Sequence, residues 1–320
     1  MAENRIEIRI EDAGKTLEAI VRAELEVPWG RARDLIRSGR VDVDGKRVDD
    51  SAIRVRAGMV VVMNPESPRV PRLALQKHEV VHVDEDVVVV RKASGVLTVP
   101  TEEGERDTLV DRVRAYLRAH AAALGKPAHD DDLGIVHRLD RETSGLLVFA
   151  RSFAAKRALG EQFRDHSIIR AYVALVHGVA ANGTHDTMLI RDRGDGLRGS
   201  FGRHFPNQRR AFPERMPREA QRAITHVELV TPFVGASLVR CRLETGRQHQ
   251  IRIHLSEAGH AVLGESVYIR DHRGPRISAP RVMLHATTLA FDHPAGHSLT
   301  FDATPPEDFQ AMVGKLSRRR

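Results

Sequence analysis

A single cysteine, Cys241, stands in a chain of 320 residues. It can form no intrachain disulfide and no cysteine-rich metal site, which fits a reducing compartment, and it is read as a buried strand residue. Aromatic residues make up only 4%, too few for a platform of stacked rings of the kind that holds single strands. Long hydrophobic runs are also missing. The N-terminal MAENRIEIRIEDAG interleaves charge with apolar residues and carries no secretory core segment. No later stretch is apolar enough to span a bilayer, so a cytoplasmic location without membrane association is expected. What is present is the composition of a globular protein, 41% hydrophobic and 29% charged. Lys+Arg of 50 against Asp+Glu of 43 leaves +7, with a pI near 10.0. That excess favours a polyanionic partner, and nucleic acid recognised by charge and shape is the natural one.

The length predicts a small module followed by a larger one. Leu17, Ile20, Val21 and Leu25 fall on one helical face. A second helix, GRARDLIRSG, turns Leu35 and Ile36 inward and Arg33 and Arg37 outward, and Gly39 ends it. VDVDGKRV then reads as a hairpin with an Asp-Gly turn, and MVVVM as a further strand. NPESPRVPR has the composition of a linker, spanning about 64–72. Beyond it, two strands surround an Asp-Glu-Asp turn and a helix runs from about Leu109 to Leu124. LLVFA, IIRAYVALV, HVELV and SLVRCRLET are strands and AKRALGEQF is a helix. The class is α+β, with a mixed, mainly antiparallel sheet and flanking helices in the larger domain and a small α/β module in front. Residues 191–222 are expected to form an exposed basic excursion, 311–320 a basic tail, and the KLSRRR at its end to be disordered.

Polar residues concentrate in GIVHRLDRETSGLLVFA, between two apolar segments. Asp140, flanked by Arg138 and Arg141, suits a nucleophile or a stabiliser of positive charge better than a proton donor. The residues alone favour instead a turn held by an Asp-Arg pair and Ser144-Gly145 chemistry. A second cluster, LETGRQHQIRIHLSEAGHAVLGESVY, gathers Arg247, Gln250 and Arg252 where a strand meets a helix that Gly259 closes. His249 and His254 are five apart rather than four and bring no acidic or cysteine ligand, so no metal is expected. Tyr172, in IIRAYVALVHG, reads alone as an ordinary core tyrosine.

These three stretches carry a resemblance. HRLDRETSG is similar to the H-R-L-D-x-x-T-S-G motif of RluA-type RNA pseudouridine synthases, TGRQHQIRIH to their G-R-x-H-Q-[IL]-R-x-H, and RAYVALVHG to the basic-x-Tyr-x-Ala strand between them. MLHATTLAFDHP resembles a later family motif, and the likeness runs from about His82 to Pro306. The stretch from about Gly14 to Met63 resembles an S4 domain, through LIRSGRVDVDG and AGMVVVM. The implied domains are an S4-like RNA-binding domain over 1–63, a linker over 64–72, a catalytic domain over 73–310 and the basic tail. KASG at Lys92–Gly95 departs from the usual K-P-x-G, and GESVY with Glu265 from G-D-x-x-Y; both departures are expected to lie away from the chemistry.

The resemblance implies an isomerase without a cofactor. Asp140 would be the catalytic carboxylate, Arg252 its ion-pair partner, and Tyr172 a neighbour of the uracil ring with an acid-base role. Because the target nucleotide must be flipped out, Arg138 is the side chain expected to fill its place in the stack. Arg31, Arg33, Arg37, Arg247 and His249 are the further expected RNA contacts. The implied partner is RNA, large-subunit (23S-type) ribosomal RNA first and transfer RNA second, acted on by a monomer. Two competing readings remain: a catalytically silent S4-type assembly factor, which leaves the carboxylate of HRLD without a purpose, and a metal-dependent RNA hydrolase.

Overall fold

The computed structural model describes residues 4–48, 51–66, 75–101, 105, 107–121, 133–202 and 215–318. The chain divides into two compact units, Met1–Ala74 and Leu75–Arg320. In the first, β1 (Asn4–Glu7), α1 (Leu17–Leu25), α2 (Trp29–Arg37), β2 (Val41–Val43), β3 (Lys46–Arg47) and β4 (Val60–Met63) follow one another. The strands form an antiparallel sheet in the order β1-β4-β2-β3. The Thr16 side chain accepts from the Ala19 N–H and starts α1, as a helix-capping hydroxyl does. Asp44 and Gly45 both take positive φ, 51° and 72°, the geometry that an Asp-Gly hairpin turn demands. Leu17, Ile20, Val21, Leu35, Ile36, Val61 and Met63 are buried together. β1 had no clear signal in the sequence, because an edge strand with mostly exposed residues carries little apolar alternation.

The second unit contains β5 (Val80–Val83), β6 (Val87–Lys92), α3 (Leu109–Ala119), β7 (Gly134–Ile135), β8 (Ser144–Ala150), α4 (Phe153–Arg164), β9 (Ile169–His177) and β10 (Gly183–Ile190). It continues with β11 (Gly199–Ser200), β12 (Gln221–Phe233), β13 (Ala236–Leu243), α5 (Gln250–Glu257), β14 (Leu284–Asp292), β15 (Ser298–Asp302) and α6 (Glu307–Ser317). One sheet of 11 strands runs β11-β10-β12-β13-β9-β14-β8-β6-β5, with β15 beside β14 and β7 beside β8. Among the described pairings only β14 with β8 is parallel. Both faces are covered. Val88, Val90, Leu147 and Phe149 meet α3 and α6 on one side, while Val87, Val89, Leu146 and Val148 meet Ala155 and Leu159 of α4 on the other. This double burial explains why β6 and β8 read as unbroken apolar runs.

Gly145 marks the parallel junction. Its φ is +121°, and an added Cβ would lie 2.3 Å from the Ala286 carbonyl oxygen and 2.5 Å from the Ala286 nitrogen, both backbone atoms. Gly145→Ala is therefore expected to destabilise the second unit by about 3 kcal/mol or more, read as a lower midpoint in urea denaturation.

Two expectations need correction. The C-terminal segment is helical through Ser317 and buries Phe309, Met312 and Leu316 against the core, so the KLSRRR stretch begins as helix, not as a disordered tail; its spaced apolar residues outweigh its charge. The 191–222 segment is not simply an exposed excursion. Arg193 is buried, and its guanidinium donates to Asp195 and to Asp271 at 2.8 Å, a compensation that lets an arginine leave water. Residues 203–214 of that segment, the predicted end of α3 near Leu124, and the linker from residue 67 lie outside the described residues.

Candidate active site

The polar cluster around Asp140 is built by clamps on either side of it. Leu139 is buried, and its N–H donates to the Thr98 hydroxyl at 3.2 Å while that hydroxyl donates to the Leu139 carbonyl at 2.8 Å. The Thr143 N–H closes a turn onto the Asp140 carbonyl at 3.1 Å and hands the chain to β8, where Ser144 Oγ and His285 Nδ1 meet at 2.8 Å. Beneath the turn, Lys92 Nζ donates to the carbonyls of Ala93, Val96 and Arg141 at 2.9, 2.6 and 2.9 Å. Burial pulls this ammonium down to about 7, opposed by the charges of Glu142 and Asp140. Arg141 turns away from Asp140 and donates from Nε to the Gly95 carbonyl at 3.1 Å. Lys92 and Gly95, the matching positions of KASG, thus hold the turn after Asp140, while Ala93, the position that departs, contributes a carbonyl to Lys92. Lys92→Met should cost about 1–3 kcal/mol through three stranded carbonyls and lower kcat more than it raises KM, as urea melts and steady-state kinetics would read.

The second cluster approaches from the corner between β13 and α5. His249 takes a left-handed conformation, φ 59°, just before α5. Gln250 is buried and uses its whole amide: Oε1 accepts from the Thr245 hydroxyl at 2.8 Å and the Arg247 N–H at 2.9 Å, and Nε2 donates to the Ile224 carbonyl at 2.9 Å and the Thr225 hydroxyl at 3.0 Å. That fixes the Gly246–Arg247 corner against β12. His249 Nδ1 pairs with the Tyr268 hydroxyl at 2.8 Å. His254, by contrast, faces the interior and pairs with Thr225 at 2.8 Å, where burial brings it down to about 4. Among the described residues, no three metal-ligating side chains gather.

Arg252 joins the two clusters. Its Nη1 lies 3.7 Å from Asp140 Oδ2, within ion-pair range but beyond a hydrogen bond. Its fork is committed elsewhere: Nε and Nη2 donate to the Glu265 carboxylate at 2.7 and 2.8 Å. Glu265 also accepts from the Val267 N–H at 2.8 Å. Burial disfavours the Glu265 anion, yet the Arg252 contacts outweigh it and hold the carboxyl below its ordinary value. The GESVY departure thus touches the expected catalytic arginine directly, which corrects the expectation that it lies away from the chemistry. What the sequence lacked was any sign that residues 252 and 265 meet.

A cavity of about 310 Å³ opens here, lined by Arg138, Asp140, Tyr172, Arg247, His249 and Arg252 among others. Six of the nine expected site residues therefore share one cavity. Tyr172 is 7% exposed and is held in the centre of β9 between Cys241 of β13 and Ala286 of β14. Burial raises its phenol, and Arg170 opposes that rise. His137 lines the cavity too, but its Nε2 accepts from the Val148 N–H at 3.1 Å and its ring stacks on Phe163 at 4.6 Å; burial and then the Arg170 charge bring it down to about 3. It acts as a neutral wall. Arg31, Arg33 and Arg37 lie on the other unit: Arg31 pairs with Asp34 at 3.3 Å and Arg33 with Glu18 at 3.2 Å, and the Arg37 side chain lies outside the described residues. Lining residues that the sequence did not single out are Phe163, Arg164, His166 and Arg170. The last stood inside a quoted motif as its basic position; the other three lie at the end of α4 or just beyond it and become neighbours of the site only through the sheet.

Comparison with known proteins agrees with this architecture. Residues 86–257 match the family model described as RNA pseudouridylate synthase, and residues 18–61 match the S4 domain. The chain is 36% identical over 296 residues to "Ribosomal large subunit pseudouridine synthase D" of Zymomonas mobilis, covering 89% of this chain and 88% of the relative. It is 31% identical over 337 residues to the protein of the same name from Pseudomonas aeruginosa, covering 100% and 98%. In fold it is similar to the solved "Human RNA Pseudouridylate Synthase Domain Containing 4", with a TM-score of 0.60 and 21% identity over 75% of this chain and 93% of that one. No helix among the described residues is long and apolar enough to cross a membrane. The chain belongs to the RNA pseudouridylate synthase family, as an RluA-type isomerase that carries an S4 domain ahead of its catalytic unit.

Proposed function

We propose that this enzyme converts specific uridines of large-subunit ribosomal RNA to pseudouridine, with Asp140 as the carboxylate that meets the ribose carbon. The observation that carries this reading is the position of Asp140 in an open cavity, beside an arginine that a second carboxylate anchors. The reaction breaks the bond from the ribose to N1, turns the uracil and rejoins it through C5. It needs no redox step and no external group. As the first bond breaks the sugar carbon becomes electron-poor, and an anionic oxygen beside it stabilises or traps that carbon. Arg252 orients Asp140 from a fixed seat on Glu265. Tyr172, in the cavity wall, has the acid-base role in the later step, taking the C5 proton as its phenol passes its own proton to the uracil. Arg138, exposed at the mouth, fills the gap that the flipped nucleotide leaves. Arg247 and His249 contact the RNA near the cavity, and Arg31, Arg33 and Arg37 contact it from the S4 domain.

The names of the relatives support ribosomal RNA as substrate, and the reading places a monomeric enzyme in the cytoplasm. Mapping pseudouridines in total RNA from cells with and without the protein tests it. Loss of discrete sites in large-subunit RNA is the expected result. Loss confined to transfer RNA would overturn the substrate, and no lost site would overturn the activity.

A further inference from the structure

We propose that Arg170 is a phosphate seat, which binds a phosphodiester flanking the extruded uridine while Arg164 and Arg247 guard its rim. The proposal rests on the functional reading above and adds a site to it. Arg170 is only 6% exposed, yet it forms no ion pair among the described residues. Its one hydrogen bond runs from Nη2 to the Glu244 carbonyl at 2.6 Å, and its Nε is buried with no partner. The guanidinium lies over the Phe163 ring at 5.4 Å, a flat support that supplies little negative charge. Burying an arginine without a counter-charge is costly. Among the described residues of this unit, the two arginines that are buried still more deeply both have carboxylates, Asp195 and Asp271 for Arg193 and Glu265 for Arg252.

The cavity around Arg170 has the same imbalance. Arg138, Arg164, Arg170, Arg247 and Arg252 line it, and Asp140 is the one carboxylate among the described residues of the wall. Arg252 is already compensated by Glu265, which leaves four arginines against the acid that must face the sugar. Asp165 follows Arg164 in sequence but does not line the cavity. Arg164 is exposed and, like Arg170, carries no ion pair among the described residues. An anion is what this wall lacks. A nucleotide entering with its ribose at Asp140 brings one on each side of the sugar, and the planar fork of arginine suits phosphate oxygens.

Gly246 belongs to the same device. A Cβ added there would lie 2.5 Å from Arg170 Nη1, so a side chain at 246 would push the guanidinium from its place. Glycine at this corner keeps the seat open, and Gly246→Ala disturbs the seat without removing the arginine.

The test measures how the Kd for large-subunit ribosomal RNA, purified from cells that lack the protein, varies with salt. Each phosphate that the protein ceases to neutralise on a single strand lowers the log–log slope by about 0.7. Arg170→Met is expected to lower the slope by about that much, Gly246→Ala to lower it too, and Arg170→Lys to restore most of it, because a point charge still meets the phosphate. The exposed Arg164→Gln, which threatens no core packing, should also reduce the slope. A wild-type slope in Arg170→Met and Arg164→Gln, with circular dichroism unchanged, overturns the seat. So does an unchanged slope accompanied by a displaced alkaline limb in the pH profile of kcat, since Arg170 would then be acting on Tyr172. Wild-type enzyme that forms no pseudouridine in this RNA overturns the functional reading instead, which separates the two failures.

Discussion

Replacing Asp140 with asparagine is expected to abolish pseudouridine formation while leaving RNA affinity within about twofold of wild type. The loss should be at least about 10⁴-fold in kcat, the scale seen when a single group that touches the reacting atom is removed. Asparagine keeps the shape and can still accept the contacts that surround the loop. It cannot offer a negative oxygen to an electron-poor sugar carbon. The turn should survive, because the Thr143 bond uses the Asp140 carbonyl and the neighbouring clamps use Leu139 and Arg141. Single-turnover assays on RNA from cells lacking the protein would read the chemistry, and filter binding the affinity. Product within a hundredfold of wild type would remove Asp140 from the mechanism.

The Arg252–Glu265 pair should produce the second large effect, and it separates stability from chemistry. Arg252→Met strands Glu265 without its partner in a buried site, which costs about 3–5 kcal/mol. Arg252→Lys keeps a charge but loses the two-pronged fit to Glu265. Misplacement of the cation by about an ångström is then expected to lower kcat about 100-fold. Glu265→Gln is more informative still. With the anchor uncharged, Asp140 becomes the carboxylate that Arg252 turns to, and the 3.7 Å gap closes into a pair that competes with the sugar; kcat falls while KM holds. The pH dependence follows from the sign of the shift. The folded Glu265 carboxyl lies below its ordinary value of 4.5, so its stabilising contribution is complete above that value and is lost as pH falls through the folded one. Wild type should therefore lose its stability advantage over Glu265→Gln on acidification from about pH 6 to about pH 3. A constant difference across that range would show that the pair contributes no linked protonation.

Much of this was legible in the residues. The S4-like helices follow from Leu17, Ile20, Val21 and Leu25 at helical spacing, and the Asp44-Gly45 turn from chemistry that few dipeptides share. The strands β6 and β8 are visible as apolar runs because both faces of the sheet are covered. HRLD and GRQHQIR announce Asp140 and Arg252 by order and spacing. What the residues could not announce are contacts between distant segments. Glu265 reads as a minor departure in a loop until the fold brings it under Arg252. Lys92 reads only as the first residue of KASG, although its ammonium binds three carbonyls beneath the Asp140 turn. Arg193 looks like one more charge in a basic stretch, and Asp271, far along the chain, joins the neighbouring Asp195 in compensating its burial. The C-terminal helix was obscured by composition: the basic residues around 315–320 mask Phe309, Met312 and Leu316, which hold it to the core.

The order of strands has a further consequence for how the enzyme comes into being. Tyr172 stands on β9, between β13 and β14, and the cavity draws its wall from residues as far apart as Val136 and Leu284. A nascent chain therefore cannot possess a partial catalytic centre: the central strand gains its last neighbour only when synthesis has passed Asp292. Pairings of such wide sequence separation close slowly and late, so activity should arise in one step near the end of translation, well after the S4 domain has had the chance to fold and engage RNA.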